Sequence, residues 1–288
     1  MQKEQKTLRI VIRLALILAA LGIATVALGN LAERWMIYPL DPTRVTPADK
    51  GLASVTEVTF ENDGEILVAW AAKPAAGKPV ILYFHGNAGN LAVRTERFRR
   101  LLKRGYGLFA PAYRGSSGSS GTPSETALLW DAETAYHAMF TQFPDLPPDK
   151  VVLYGESIGT AVSLGLLNTP ATNPDKGFGP PAAVILEAPF TAIADLSEHH
   201  YPGTRALAER LDNQWPSLSR SRALTMPLLV LHGTADDLIP IEMGRQIYAA
   251  APSGEKVFVA VKGAGHTDLW RSETLPRLWR FIDQFALR

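Results

Sequence analysis

The stretch Gly155-Glu156-Ser157-Ile158-Gly159 follows the apolar run Val151–Tyr154 and precedes a helical pattern. A serine between glycines at a strand-to-helix turn is a G-x-S-x-G elbow, where a strained backbone lifts the hydroxyl clear of a sheet. The glycines let strand and helix approach each other across the bend. The competing reading is a Gly-rich turn in which Ser157 merely caps a helix. A hydroxyl attacks a carbonyl only when a base takes its proton, so one of the six histidines should stand at another strand end. His266, in Gly-Ala-Gly-His-Thr-Asp after the run Val257–Lys262, suits the chain order serine, acid, histidine. His85 and His232 each sit in a His-Gly turn and read as structural, and His137 falls inside a helical pattern. Adjacent His199 and His200 do not converge on one site and have no evident third ligand, so zinc is not expected there.

The base needs a carboxylate to fix its tautomer and to stabilise the imidazolium formed during attack. Asp236 comes first off the end of Leu228–His232 and is the leading acid. Asp237 reads instead as a cap or a solvent-facing group, and Glu187, ending the preceding strand run, is a third candidate. The tetrahedral oxyanion requires two waiting N–H groups. One is the amide of Ile158, directly after the nucleophile at a helix N-terminus. The other is assigned to Asn87, in the small-residue loop His85–Asn90 that follows Val80–His85.

The elements that must position these residues alternate regularly. Strand runs read at Ser54–Phe60, Ile66–Ala72, Val80–His85, Leu108–Tyr113, Val151–Gly155, Ala183–Glu187, Leu228–His232 and Val257–Lys262. Helical patterns read at Leu91–Lys103, Ser124–Phe143, Ile158–Asn168, Glu242–Ala250 and Ser272–Ala286. Uninterrupted runs such as Ile-Leu-Tyr-Phe and Leu-Leu-Val-Leu predict strands buried on both faces, hence an α/β class with a mostly parallel sheet covered by helices on both sides. The first two runs lack an intervening helix and predict an antiparallel hairpin at the sheet edge. In such a sheet, reacting groups gather at the carboxyl ends of the strands. The elbow, the acid and the histidine all follow strand runs there.

Composition bounds the chemistry. The 288 residues carry 29 Lys and Arg against 28 Asp and Glu, and 47% are hydrophobic, enough for one large globular domain and without the basic field nucleic acid requires. With no cysteine, thiolate nucleophiles, Cys-ligated zinc and iron–sulfur clusters are excluded. The residues Leu14–Ala32 carry no charge, and at about 1.5 Å per residue a helix there spans roughly the 30 Å hydrocarbon core. Basic residues precede it, and Trp35 and Tyr38 suit the interface. The span therefore reads as a single-pass anchor with the catalytic domain on the non-cytoplasmic side, periplasmic or extracellular. A cleaved signal peptide, leaving a secreted enzyme, is the rival reading. The expected organisation is an anchor over 1–32, a Pro-rich connector over 33–50 and a catalytic domain over 51–288.

The segments Phe-His-Gly-Asn-Ala-Gly-Asn, Tyr-Gly-Glu-Ser-Ile-Gly, Leu-Leu-Val-Leu-His-Gly-Thr-Ala-Asp-Asp and Gly-Ala-Gly-His-Thr-Asp together resemble the α/β-hydrolase superfamily. More narrowly they are similar to its membrane-anchored α/β-hydrolase-domain members, which include lysophospholipases and protein depalmitoylases. The resemblance covers roughly residues 33–288 and implies an eight-stranded α/β-hydrolase fold with a nucleophile at Ser157, an acid at Asp236, a base at His266 and oxyanion donors at Asn87 and Ile158. It implies no metal or organic cofactor. The implied activity is cleavage of a carboxylic ester or thioester through an acyl-enzyme, on lipid-like or acylated substrates. Thr160 stands where the pattern usually has another small glycine, which bears on local helix packing alone. The connection from Phe190 to Thr225 resembles a minimal cap, and Leu196, Tyr201, Leu207, Leu211 and Trp215 within it read as acyl-pocket or core-covering positions. A serine aminopeptidase on the same fold and a non-catalytic membrane-tethered binding module are the alternatives.

Overall fold

The computed structural model describes residues 29–286. The chain divides after Pro39, and the unit from Leu40 onward holds all the strands of the described residues. The described chain opens with a helix over 29–37 (α1) that exposes Leu31, Trp35 and Met36. The anchor expected over residues 14–32 lies, except for its last residues, outside the described part. Among the described residues, no helix is long and apolar enough to cross a membrane.

The β-branched and aromatic runs form an eight-stranded sheet: β1 (Thr56–Asn62), β2 (Glu65–Ala72), β3 (Val80–Phe84), β4 (Gly107–Pro111), β5 (Val151–Glu156), β6 (Ala183–Glu187), β7 (Leu228–Gly233) and β8 (Lys256–Val261). Their spatial order is β1-β2-β4-β3-β5-β6-β7-β8. β1 and β2 form the expected antiparallel edge hairpin. Its two-residue turn is Asp63-Gly64, both at positive φ (54° and 74°), the geometry of a type I′ turn, whose twist matches that of the strands. β2 also runs antiparallel to β4, and every pair from β4 to β8 is parallel. β3 to β7 are buried along nearly their whole length, as continuous apolar runs require once helices cover both faces.

The helices are α2 (Thr95–Lys103), α3 (Glu125–Gln142), α4 (Ile158–Leu166), α5 (Ile193–His200), α6 (Arg205–Ala208), α7 (Ser217–Arg220), α8 (Ile241–Ala250) and α9 (Leu275–Ala286). One face of the sheet presents Ile81, Tyr83, Val152, Tyr154 and Ile185, which pack with Phe98 and Leu101 of α2 and Leu278, Phe281 and Ile282 of α9. On the other side α4 lies on β3 and β5, α8 lies on β7 and β8, and α3 packs against α4. The α3–α4 approach is close: a Cβ at Gly165 would stand 2.0 Å from Leu129 Cδ2.

Two expectations need correction. The pattern Leu91–Lys103 is not one helix but a 3-10 turn at Leu91–Arg94 followed by α2, because Asn90 caps the turn by accepting the Ala92 amide at 3.1 Å. The compact unit that holds the sheet runs from Leu40, so it takes in the second half of the connector. The Asp41 amide donates to Gly89 O at 3.0 Å and its carboxylate accepts from Asn90 Nδ2 at 2.7 Å, which ties the second half of the connector to the loop after β3. Second, the excursion between β6 and β7 is as short as expected, with helices α5, α6 and α7 and a 3-10 turn at Ser221–Ala223, but its apolar residues split. Trp215 is fully buried, whereas Tyr201 and Leu207 are each 68% exposed and cover no core.

Candidate active site

Ser157 stands between β5 and α4 with φ 54° and ψ −117°, a conformation that costs an L-residue about 1–3 kcal/mol. Its amide donates to Glu187 O at 2.8 Å, which pins the bend to the neighbouring strand β6. The glycines on either side are required by contact. A Cβ at Gly159 would lie 2.1 Å from Phe84 O, and one at Gly155 would lie 2.4 Å from Gly159 O. Ser157 precedes the first residue of α4 but makes no side-chain cap, so the capping alternative does not hold.

Its hydroxyl is instead 3.0 Å from His266 Nε2. His266 Nδ1 lies 2.8 Å from Asp236 Oδ2. A carboxylate can only accept, so Nδ1 carries the proton and the Nε2 lone pair faces the serine hydroxyl. The other oxygen of Asp236 accepts the amides of Leu238 at 3.0 Å and Ile239 at 2.8 Å. Burial pushes the Asp236 carboxyl up, but the hydrogen bonds from His266 and Ile239 outweigh it and hold the group below the ordinary carboxylate range. The side chain is fully buried, so this acid orients the imidazole and does not contact water.

The remaining candidates separate cleanly. Asp237 is exposed. The Glu187 carboxylate is held by Arg97, Tyr154 and Trp270 and does not reach His266. His232 is buried, donates from Nε2 to Ile239 O at 2.8 Å, and is kept neutral because desolvation lowers its pKa. A Cβ at Gly244 would press to 2.4 Å of its Nδ1, so α8 closes over this ring. His85 is buried against Tyr113, with ring centroids 4.2 Å apart, and burial lowers its pKa to about 3. His137 is exposed beside Phe178. His199 and His200 end α5, where His200 Nε2 donates to Leu238 O at 2.8 Å, a tie between the excursion and the acid loop that the sequence did not announce. Among the described residues, no group of three or more His, Asp or Glu side chains could hold a metal ion.

The two amides expected at the oxyanion site come from adjoining backbone. Ile158 is the first residue of α4, where amides lack intrahelical acceptors. The contact of Gly159 with Phe84 O places the end of β3 against the start of α4, and Asn87 lies three residues beyond Phe84 in the loop that follows.

Sequence reasoning missed a set of buried polar residues beneath these loops. Arg97 makes a two-pronged pair with Glu187 at 2.6 and 2.8 Å, and Arg94 pairs with Glu156 at 3.1 Å. Tyr83 OH donates to Glu156 at 2.7 Å, and its ring stacks on Tyr154 at 4.8 Å between centroids. Trp270 Nε1 donates to Glu187 at 3.0 Å. Two arginines, Arg94 and Arg97, hold Glu156 well below its usual range, at about 2, against the desolvation that opposes ionisation. The available signal was strand parity: Tyr154 and Glu156 share a face, and the arginines are three residues apart on one helical turn.

With this geometry described, comparison with known proteins adds a family. A model of the serine aminopeptidase S33 family matches residues 75–221, a stretch that includes the elbow and ends before β7. An uncharacterized protein of Mycobacterium tuberculosis is 33% identical, over 85% of this chain and 86% of its own length. The alpha/beta hydrolase domain-containing protein WAV2 of Arabidopsis thaliana is 31% identical over 79% of this chain and 77% of its own. The lysophosphatidylserine lipase ABHD12 of Rattus norvegicus is 31% identical over 72% of this chain, which spans only 56% of that protein. Among solved structures, an α/β hydrolase from Vibrio vulnificus superposes with a TM-score of 0.69 at 18% identity, covering 89% of this chain and 92% of that one. The esterase Est2 from Thermogutta terrifontis superposes at 0.61 with 21% identity, covering 81% and 93%.

Proposed function

The chain belongs to the α/β-hydrolase family, and on that premise we propose that it is a serine hydrolase cleaving carboxylic ester or thioester bonds through an acyl-enzyme. The observation that carries the proposal is the strained Ser157, whose hydroxyl is given to His266 at 3.0 Å in place of a helix cap. Ser157 Oγ attacks the acyl carbon while His266 Nε2 takes its proton. The tetrahedral oxyanion is stabilised by the Ile158 and Asn87 amides, and Asp236 steadies the imidazolium. The proton then passes from His266 to the leaving alcohol or thiol as the carbonyl re-forms. Water, deprotonated by the same imidazole, releases the acid and restores the serine.

Lipid-like or acylated substrates are the favoured class. The lipase and esterase relatives support ester chemistry. The exposed Leu31, Trp35 and Met36 of α1 support an interfacial position beside an uncharged stretch over residues 14–32 acting as a single-pass anchor, with the domain on the non-cytoplasmic side. Such an enzyme meets amphiphiles at the bilayer. The test is hydrolysis of aryl esters of increasing acyl length by the full chain and by a chain lacking residues 1–32. The full chain should prefer micellar long-chain esters and lose that preference on truncation, whereas an unchanged preference counts against the membrane part of the reading.

A second reading follows from the description of the matching family, a serine aminopeptidase. Release of an aminoacyl chromophore under conditions that leave aryl esters intact would decide for it.

A further inference from the structure

Glu156 and Glu187 end adjacent parallel strands in register, so two carboxylates stand side by side on the α2/α9 face of the sheet, immediately beneath the elbow. Strands lie about 4.8 Å apart, and two unpaired carboxylates at that spacing repel strongly in a buried setting. Arg94 and Arg97, one helical turn apart, meet them singly: Arg94 on Glu156, Arg97 on Glu187. A buried ion pair is a weak source of stability because desolvation offsets the Coulomb gain, so its consequence is sought in geometry.

Glu187 reaches both halves of the proposed machinery. Its carbonyl accepts the Ser157 amide at 2.8 Å, and its carboxylate accepts the Trp270 indole N–H at 3.0 Å. The same indole donates to Tyr154 OH at 2.8 Å, and Tyr154 OH donates to Glu187. Arg97, paired with Glu187, stacks 5.0 Å from the Trp270 ring and reaches Thr267 O at 3.4 Å. Thr267 and Trp270 belong to the loop that carries His266. One residue thereby holds the nucleophile through its backbone and the base loop through its side chain.

We propose that Glu187, with Arg97 and Trp270, is a positioning group that sets the separation between Ser157 Oγ and His266 Nε2. The Glu156–Arg94 pair is its counterpart on the oxyanion side: Arg94 donates to Ala88 O and Asn90 O, two carbonyls within the His85–Asn90 loop that bears Asn87. Misplacement of reacting groups by about 1 Å is enough to cost roughly a hundredfold in rate. The positioning role rests on the serine-hydrolase reading for its kinetic consequence but not for its structural one.

The experiment compares the full-length wild type with Glu187→Gln, which keeps the shape and removes the charge, and with Trp270→Phe, which removes the indole donor and part of the ring that Arg97 stacks on. Activity is expressed per site titrated with a fluorophosphonate, and the crystal structure of each variant gives the Ser157–His266 separation. The expected result is a separation beyond hydrogen-bonding range in Glu187→Gln, a fall of about tenfold to a hundredfold in kcat with KM within about twofold, and a smaller fall in Trp270→Phe. Arg97→Lys, which keeps the charge but loses the fork, should restore little of what Arg97→Gln loses. A separation that stays near 3.0 Å in both Glu187→Gln and Trp270→Phe overturns the proposal, as does an unchanged kcat per site with only a lowered Tm. If Glu187→Gln does not fold, Trp270→Phe decides alone. A wild type inert to esters whose Glu187→Gln variant nonetheless shows the widened gap would sink the hydrolase reading and leave the positioning role standing.

Discussion

The elbow at 155–159 and the excursion at 191–227 both border the carboxyl edge of the sheet, yet they are built on opposite terms. At the elbow, backbone meets backbone: a single added methyl at Gly159 would reach within 2.1 Å of a carbonyl oxygen, and the serine sits in a conformation few residues tolerate. The excursion is a succession of short helices whose far part is anchored on Glu125 through Gln214, Trp215 and Arg220, while Tyr201 and Leu207 stand largely in solvent. The chemistry is therefore specified by contacts that admit no substitute. The excursion's exposed residues can change without disturbing those contacts.

That contrast can be broken by substitution. Ser157→Ala should lower turnover of a responsive ester by about 10⁶-fold with little change in Tm, and Asp236→Asn by about 10⁴-fold, because the amide fixes the wrong imidazole tautomer. Rates per folded molecule check both. Gly159→Ala should cost about 3 kcal/mol or more in a denaturant titration, since the colliding atom is backbone and cannot rotate away. A tolerant Gly159 would mean that the elbow is softer than its contacts imply.

Acid sensitivity sharpens the comparison further, because two buried groups beside the elbow, His85 and Glu156, have depressed pKa values. His85 is held neutral to about pH 3, so as pH drops below 6.5 the unfolded imidazole takes a proton that the folded one refuses. Stability is thus full above pH 6.5 and is lost progressively as pH falls towards 3. The depressed Glu156 adds to this loss only as pH falls from 4.5 towards 2. The gap between urea midpoints at pH 7 and pH 5 should narrow in His85→Gln, which removes up to one proton from the linkage, and the buried neutral His232 should account for part of what remains. The smallest effects belong to the excursion. Tyr201→Ser and Leu207→Ser should change stability by no more than about 0.5 kcal/mol and shift acyl-length preference by less than about tenfold. A loss comparable to that of Gly159→Ala would erase the distinction between the two regions.

The fold was legible because its signals are local. Buried strands are short apolar runs, the edge hairpin turns on Asp63-Gly64, and the elbow is a pentapeptide in a strand–turn–helix setting. Ser157, His266 and Asp236 could be selected one loop at a time, since each follows a strand at the same edge. The Arg97–Glu187 pair could not, because its members are 90 residues apart and no spacing rule links them. Glu187 looked like a spare acid for the triad until its partners were seen. The exposure of Tyr201 and Leu207 was equally hidden, because apolar spacing describes a helix face but not whether anything covers it.

The most direct test of the whole account is mass-spectrometric mapping of a fluorophosphonate adduct on the full-length protein. One adduct is expected, on Ser157, forming with the wild type and strongly slowed in His266→Ala. Labelling of another residue, or a folded protein that takes up no probe, would contradict it.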